Sequence, residues 1–297
     1  KGMQTREEDV VTKLFLSSNH SYLLYFTDMG RVYRTKTYNI PEAGRTAKGT
    51  PVVNIIEKSP EEKISEIIPV KEFSDNEYLV MVTKNGVIKK TPASEYESIR
   101  KSGKIAITLK EGDELISIFK TTGNDNIFLA TRNGMAICFN ENDARAVGRT
   151  ASGVKAIDLA DGDYVVGAEP VREDSKVLLV TDGGYGKCTD LTSFRIQHRG
   201  GKGLKAYKIT EKTGNIIGIS MVNDSEELIM VTSEGVVIRI RIKDIATTTG
   251  RITQGVRLIN LNDGVTVVSM DKISAEDTVE EESEENNTEV TAETTEE

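Results

Sequence analysis

The chain has 297 residues, of which 37% are hydrophobic, 29% are charged and 5% are aromatic, with no Trp. No apolar run approaches the roughly 18 residues that a membrane-spanning helix needs, and no charged-then-apolar leader opens the chain. Two cysteines form neither a disulfide framework nor a zinc cluster and favour a reducing compartment. Two histidines leave little room for histidine-based metal sites or nucleophiles. Length and composition therefore fit one or two ordinary domains, or one large repetitive β domain, without metal or cofactor.

The net charge of −9 conceals two unlike parts of the chain. Residues 274–297 hold eleven acids and no base, whereas residues 1–273 hold 38 bases and 36 acids. A segment that repels itself and has few large apolar side chains is expected to be disordered. We therefore predict a folded, mildly basic domain over residues 1–273 and a disordered acidic tail over residues 274–297.

A Thr-x-x-Gly turn recurs five times, and an apolar, β-rich segment precedes each copy. The turn glycines are 56, 48, 50 and 51 residues apart. Strand, short glycine turn and strand form a β-hairpin. In chain order the turn glycines are Gly30, Gly86, Gly134, Gly184 and Gly235. The strands predicted before them span residues 23–26, 79–82, 127–130, 177–180 and 228–231, and those after them include residues 32–33 and 236–238.

A second glycine follows each turn glycine by 17 to 20 residues and stands before another predicted strand. These glycines are Gly49, Gly103, Gly153, Gly203 and Gly255, and the strands after them include residues 52–56, 105–109 and 256–261. A fourth strand is predicted to open each following unit, at residues 64–70, 115–119, 165–168 and 216–221. We expect a last strand, residues 265–270, to complete the first unit and close the ring. Four strands in about fifty residues, repeated, predict a propeller-like array. Residues 1–8 and 265–273 remain outside the five complete units, so six blades, one of them truncated at the N-terminus, are the simplest count.

Bases concentrate in the same part of every repeat. The five stretches from turn glycine to second glycine hold 19 bases and seven acids, so the rest of residues 1–273 is acidic. Because equivalent positions of a radial array point to equivalent places, this pattern predicts a basic rim. Lys and Arg with few aromatics suit duplex phosphates better than unstacked bases. We therefore predict a rim that holds and bends duplex DNA by its backbone. The acidic tail either competes with DNA for that rim or serves only solubility.

One glycine-rich motif points to a family. Residues 197–203 read Q-H-R-G-G-K-G at the second-glycine position of the fourth repeat. Here the sequence resembles the C-terminal domain of DNA gyrase A, whose seven-residue box is Gln, a base, Arg, Gly, Gly, a base and Gly. The resemblance spans essentially the whole chain and includes FTDMGRVY at 26–33, PVVN at 51–54, GVIKKT at 86–91, GDELI at 112–116 and GYGK at 184–187.

The resemblance implies a six-bladed β-pinwheel, a propeller-like ring with strands exchanged between neighbouring blades. It also implies that this ring wraps duplex DNA, so that the whole enzyme introduces negative supercoils. The implied partners are the breakage-reunion domain of the same polypeptide and the gyrase B protein, in an A2B2 heterotetramer. The catalytic Tyr and the ATPase lie outside such a chain, which would not be an enzyme on its own. The implied location is cytoplasmic and nucleoid-associated, without a membrane.

Two departures from the family pattern matter. His198 stands where the box has Arg or Lys, and the family's defining box lies in the first blade rather than in this later repeat. The chain opens with Lys1 and Gly2, which are similar to the end of a first-blade box. We therefore expect a fragment of a longer protein with a truncated first blade.

The candidate DNA-binding residues are the bases of the rim and the box-like loop, in which Arg199 and Lys202 are expected to contact phosphate and the glycines to shape the turn. They are Arg31, Arg34, Lys36, Arg45, Lys48, Lys89, Lys90, Arg100, Lys101, Arg145, Arg149, Lys187, Arg195, Gln197, His198, Arg199, Gly200, Gly201, Lys202, Gly203, Arg239, Arg241, Lys243 and Arg251.

Alternative functions remain open at this level. The corresponding C-terminal domain of topoisomerase IV is the nearest, although its box is typically degenerate and its blades fewer. A protein-binding propeller scaffold explains the repeats but not the basic band. A hydrolase is remote, because no nucleophile–base set is present. Cys138 and Cys188, one repeat apart, stand where other repeats have a base, and they are predicted to mark two repeats with a thinner basic band rather than a metal or redox site. His20 has no assigned role, and the turn at 183–187 lacks the spacing of a nucleotide-binding loop.

Overall fold

The computed structural model describes residues 17–44, 47 and 49–273, and this part of the chain is built from β-strands and short 3-10 helices. The predicted remnant of a first blade at residues 1–8, the candidate cations Arg45 and Lys48, and the predicted tail lie outside the described residues. The division at residue 273 stays a prediction. The strands are β1 (Tyr22–Thr27), β2 (Arg31–Lys36), β3 (Ile64–Val70), β4 (Tyr78–Thr83), β5 (Val87–Pro92), β6 (Lys104–Ile105), β7 (Leu115–Thr121), β8 (Asn126–Thr131), β9 (Met135–Asn140), β10 (Val154–Lys155), β11 (Val165–Pro170), β12 (Lys176–Thr181), β13 (Tyr185–Asp190), β14 (Leu204–Lys205), β15 (Ile216–Val222), β16 (Glu227–Thr232), β17 (Val237–Arg241), β18 (Thr247–Thr248), β19 (Val256–Arg257) and β20 (Val267–Ile273).

The five predicted hairpins are all present, and the Thr-x-x-Gly turn has a direct chemical explanation. In the third hairpin the buried Thr131 hydroxyl accepts a hydrogen bond from the Met135 backbone N–H at 3.2 Å. Gly134 closes the turn at φ +83° by donating its N–H to the Thr131 carbonyl at 3.1 Å. The same pair of contacts recurs in the other four turns, at 3.1–3.3 Å for the hydroxyl. A buried hydroxyl and a left-handed glycine are therefore both required by the turn.

Each hairpin pairs with the strand that follows it in the chain, forming one blade. β3 pairs antiparallel with β1, and β7, β11, β15 and β20 pair in the same way with β4, β8, β12 and β16. We number these sheets blades 1 to 5. The outermost strand of blades 1 to 4 comes from the next repeat: β6, β10, β14 and β19 pair with β2, β5, β9 and β13. Strand exchange between neighbours is thus confirmed.

Three details of the predicted fold are wrong. The described residues form five blades rather than six. The last strand completes blade 5 through its pairing with β16, not the first unit, because each such strand folds back on its own preceding hairpin. The exchanged strands are only two residues long, and residues Val52–Asn54 form a 3-10 helix instead of a strand.

The hydrophobic core is divided into clusters between adjacent blades. One cluster packs Leu24 and Phe26 of blade 1 against Leu79 and Met81 of blade 2, and similar clusters join blades 2 to 3, 3 to 4 and 4 to 5. The five innermost strands line a cavity of about 750 Å³. Because each of these four clusters is shared by two blades, neighbouring blades bury their apolar faces against one another, as in other repeat architectures. A fifth cluster, which includes Leu23, Tyr25 and Ile56, lies within repeat 1.

Candidate nucleic-acid interface

The basic stretches end in loops that lie across the outer edge of the preceding blade. We name these rim loops by the repeat that supplies them: loop 2 (residues 100–103), loop 3 (145–153), loop 4 (195–203) and loop 5 (246–255). Loops 3 to 5 first pair in parallel with the second hairpin strand of the preceding blade, through Ala146, Ile196 and Thr247. After the second glycine, the chain returns antiparallel as the exchanged strand. The fold therefore places equivalent loops along one rim.

The second glycine of loops 3 to 5 is required by close packing on that strand. Gly153, Gly203 and Gly255 have φ of +85°, +74° and +67°. A Cβ atom at any of them would lie 2.4 Å from a carbonyl oxygen of the preceding blade. Such a distance is far inside van der Waals contact, and the positive φ already disfavours a side chain. These glycines therefore fix how closely each loop approaches its neighbour.

Rim loops 3 to 5 also accept a hydrogen bond from the segment that follows the exchanged strand of the preceding repeat. The backbone N–H of Asp158, which follows β10, donates to the carbonyl of Gly201 in loop 4 at 2.9 Å. The equivalent N–H of Thr108 donates to Ala151 at 3.2 Å, and that of Lys208 donates to Thr253 at 3.0 Å. Loops 2 to 5 are thus linked in a continuous series, which makes the rim one connected surface.

Three arginines at equivalent loop positions donate to protein carbonyls. Arg199 donates from Nη1 to the Lys155 carbonyl at 2.9 Å and from Nε to the Asp143 carbonyl at 2.8 Å. Arg149 donates to the Ile105 carbonyl, and Arg251 donates to the Ser193 carbonyl at 3.0 Å. These guanidinium groups are half-buried and brace the loops, with donors to spare, since each carries five N–H groups.

A second group of candidate cations is fully exposed. Arg100, Arg145 and Arg195 each follow a buried apolar residue at the start of a rim loop, so their side chains are directed to solvent. Lys101, His198, Lys202 and Lys243 are exposed as well, and so are Arg239 and Arg241 of blade 5. His198 is 98% exposed and lies 3.3 Å from Asp143. Cations in this arrangement are available to phosphate at small desolvation cost.

Within the box-like loop, the remaining residues shape the backbone. Gly200 has φ +82° and donates its N–H to the Ala156 carbonyl at 2.6 Å. Gly201 accepts from Asp158 as described, and the Gln197 backbone donates to the Cys138 carbonyl at 2.8 Å. These contacts agree with the predicted turn role of the glycines.

Three predicted DNA-binding lysines are buried and do not fit a direct contact with DNA. Lys89 is 1% exposed, Lys90 is 4% exposed and Lys187 is fully buried. Lys90 forms an ion pair of 2.8 Å with the buried Glu141. The sequence prediction missed this because it counted charge along the chain. Lys89 and Lys90 lie on opposite faces of β5, and the fold covers both faces, one with the main chain of loop 3 and the other with Glu141.

The cations of blades 1 and 5 have partners on their own surfaces. Arg34 and Lys36 lie over the Tyr22 ring at 4.6 and 3.4 Å from its centroid. Arg31 donates to the Ser102 carbonyl at 2.8 Å. In blade 5, Arg239 pairs with Glu227, and Arg241 pairs with Asp244 at 2.7 Å. These exposed pairs are weak, so DNA can compete for the cations.

Sequence analysis missed a further set of rim cations. Lys155, Lys205 and Arg257 all stand two residues after a second glycine, on the exchanged strands β10, β14 and β19, and all are exposed. They were overlooked because the basic stretches were counted only as far as that glycine. Their common register was the signal that could have found them.

Three features of the described residues bear on metal sites, cysteines and membrane helices. No group of His, Cys, Asp and Glu among them could hold a metal ion. Cys138 and Cys188 are free and buried, and burial raises the pKa of both thiols to about 11. No described helix is long and apolar enough to cross a membrane.

Comparison with known proteins decides the family. The family model for the DNA gyrase C-terminal domain, described as a beta-propeller, matches residues 21–71, 77–122, 125–172, 175–223 and 226–274. The chain belongs to this family. The five matched segments coincide with the five blades, so the predicted resemblance to the gyrase A C-terminal domain is confirmed.

Curated relatives agree with this assignment. The DNA gyrase A protein of Clostridium acetobutylicum is 49% identical over 93% of this chain, and that of Halalkalibacterium halodurans is 54% identical over 93%. The chain spans about a third (33%) of the length of both proteins.

Two solved structures are similar in fold. The C-terminal domain of a DNA topoisomerase IV aligns with a TM-score of 0.83 and 28% identity, over 91% of this chain and 84% of that one. A DNA gyrase A C-terminal domain aligns with a TM-score of 0.74 and 25% identity, over 86% and 83%. Fold similarity therefore does not separate gyrase from topoisomerase IV here, whereas the two curated relatives at 49% and 54% identity are gyrase A proteins.

Proposed function

We propose that this domain binds duplex DNA along its rim by backbone contacts and bends it around the blades. The observation that carries the proposal is the repetition of exposed cations at equivalent places on consecutive, mutually linked rim loops. Duplex DNA carries one negative charge per roughly 1.7 Å of helix axis, so a repeated cation series matches its periodic phosphates without base readout. Family membership supports the same function.

The proposed contact set contains the exposed cations and excludes the buried lysines. Its members are Arg100, Lys101, Arg145, Lys155, Arg195, His198, Lys202, Lys205, Lys243 and Arg257, with Arg149, Arg199 and Arg251 contributing their free donors. Arg31, Arg34, Lys36, Arg239 and Arg241 extend the set at both ends of the blade series. Smooth bending costs roughly 1–6 kcal/mol per 20–30 base pairs, so several of these contacts must act together.

In the whole protein, we propose that the domain serves gyrase A as its DNA-wrapping part. It would act beside the breakage-reunion domain and the gyrase B protein in an A2B2 heterotetramer, in the cytoplasm and on the nucleoid. The strand cleavage and ATP hydrolysis of supercoiling would belong to those other parts, so this chain alone would not be an enzyme.

The test is a topology experiment with this chain. Relaxed plasmid is mixed with increasing protein, treated with a nicking-closing type I topoisomerase and deproteinised, and its linking number is measured. A shift that grows with protein is the expected result and shows chiral wrapping by these blades. Salt-sensitive binding without a shift refutes wrapping but retains DNA binding. Absence of binding at low salt refutes the proposal and favours a protein-interaction scaffold.

A further inference from the structure

Two lysines are buried at the same position of two different blades. Lys89 in blade 2 and Lys187 in blade 4 each stand three residues after the turn glycine of their hairpin. Their exposures are 1% and 0%. An ammonium group is almost never buried unless its hydrogen bonds are satisfied, so the contacts of these two side chains indicate what they do.

The Lys89 ammonium joins loop 3 to the segment that follows β6. It donates to the carbonyl of Ala106, which follows the exchanged strand of repeat 2. It also donates to the carbonyls of Arg149 and, at 3.5 Å, Gly148, both in loop 3. Three carbonyl acceptors match the three N–H donors of an ammonium group. Lys89 is therefore a link between blade 2 and the main chain of loop 3.

Lys187 makes the corresponding contacts with loop 5. Its ammonium donates to the Arg251 carbonyl, to the Gly250 carbonyl at 3.4 Å and to the Thr253 hydroxyl at 3.1 Å. It also lies 5.2 Å from the centroid of the Tyr207 ring. In both blades, the lysine thus holds the main-chain carbonyl of the loop arginine.

Loops 3 and 5 differ from loop 4 in the number of their cations. Between the parallel pairing and the second glycine, Arg149 is the only base of loop 3, and Arg251 is the only base of loop 5. Loop 4 has Arg199 and Lys202, and Arg199 is itself held by Asp143. The equivalent of the lysine under loop 4 is Ile137. The buried lysines therefore occur under the two loops that have a single base between the parallel pairing and the second glycine.

We propose that Lys89 and Lys187 are positioning residues that hold Arg149 and Arg251 in line with the DNA backbone, without touching DNA themselves. This inference rests on the proposed function for its DNA part. It assigns the two lysines, initially predicted as phosphate contacts, to loop geometry. Removing either ammonium leaves the loop carbonyls without their buried donor, so the loop and its arginine lose their fixed position.

Hydrogen exchange measured without DNA tests whether Lys89 and Lys187 fix the position of loops 3 and 5. Lys89→Met keeps the approximate length of the side chain and removes its N–H donors. In this variant, the backbone amides of residues 148–151 are expected to exchange about tenfold faster. Amides of β4, β5 and loop 4 should keep their rates. Equal acceleration throughout blade 2 would show a general loss of stability and overturn the proposal, as would an unchanged loop 3. Lys187→Met provides an independent second variant, with the effect expected at residues 250–253.

A double-mutant cycle with a labelled linear duplex tests the DNA part. Each phosphate contact contributes about 0.9 to the slope of log affinity against log salt concentration. Lys89→Met and Arg149→Ala should each lower the slope by about 0.9, and the double variant by no more than that. The control pair, Lys89→Met with Arg251→Ala, should lower it by about 1.8. Additive losses in the first pair overturn the inference. If the unmodified chain does not bind the duplex, the proposed function and the DNA role of the arginines are overturned. The hydrogen-exchange experiment still decides, independently, whether the two lysines fix the position of loops 3 and 5.

Discussion

Removing two exposed cations from loop 4 gives a quantitative test of the rim. Arg195 and Lys202 are both exposed, and neither side chain makes a hydrogen bond or ion pair with another described residue. Their replacement in Arg195→Ala plus Lys202→Ala therefore breaks no hydrogen bond or ion pair among the described residues. If each side chain neutralises one phosphate, the slope of log affinity against log salt falls by about 1.8 in the double variant.

The slope translates into a measurable change of affinity. Between 50 and 200 mM salt, each phosphate contact accounts for a change of about 3.5-fold, so two account for about twelvefold. The ratio of wild-type to variant affinity should shrink by that factor across the range, as measured by fluorescence anisotropy with a labelled duplex. Urea unfolding should show unchanged stability.

A matched control separates specific contacts from total charge. Lys71 and Lys110 are exposed but lie outside the basic stretches. Lys71→Ala plus Lys110→Ala removes the same charge and should leave the slope nearly unchanged. Equal slopes for the wild-type chain and the loop 4 variant, or equal losses in both double variants, would refute the assignment of the rim.

Three further predictions concern stability and reactivity. Gly153→Ala should lower the free energy of unfolding, measured by urea titration, by at least about 2 kcal/mol, because its Cβ would lie 2.4 Å from a carbonyl oxygen at φ +85°. The control is Gly201→Ala, whose Cβ would meet no atom closer than 3.9 Å. It should change the free energy of unfolding by less than about 0.5 kcal/mol in the same titration. Cys138 and Cys188, whose thiol pKa burial raises to about 11, should resist a thiol reagent at pH 8 until the chain unfolds; rapid native labelling would contradict their burial. Burial and Arg149 lower the pKa of Lys89 to about 7, so the unfolded chain binds more protons than the folded chain above that pH. The stability of the wild type relative to Lys89→Met should therefore rise between pH 7 and 9, by at most about 1.4 kcal/mol per pH unit. A flat difference would contradict the lowered pKa.

The blade count shows where sequence periodicity reaches its limit. The repeat located every hairpin, because a buried threonine and a left-handed glycine are local requirements of one turn. It did not show which hairpin each following strand joins. β20 pairs with β16, a contact with its own repeat, and the assumption that it belongs to the next unit produced a sixth blade.

The candidate site, too, could be predicted from the sequence only in part. The basic stretches could be found from the sequence, because charge and glycine spacing repeat together. Their members could not be sorted into exposed cations, braced arginines and buried lysines. Lys89 and Lys90 are neighbours in the chain, yet one donates to loop carbonyls and the other pairs with Glu141.

By itself, the sequence determined the repeat, the hairpins, the family and the basic character of one part of every blade. These features depend on local turn chemistry and on composition, which the chain carries without reference to its fold. Only the tertiary structure decided which strand completes which blade, how the rim loops are linked and which cations face solvent. Those properties depend on contacts between residues 66 to 72 positions apart, where an exchanged strand pairs with a neighbouring blade. Such contacts bury some charges and leave others in water.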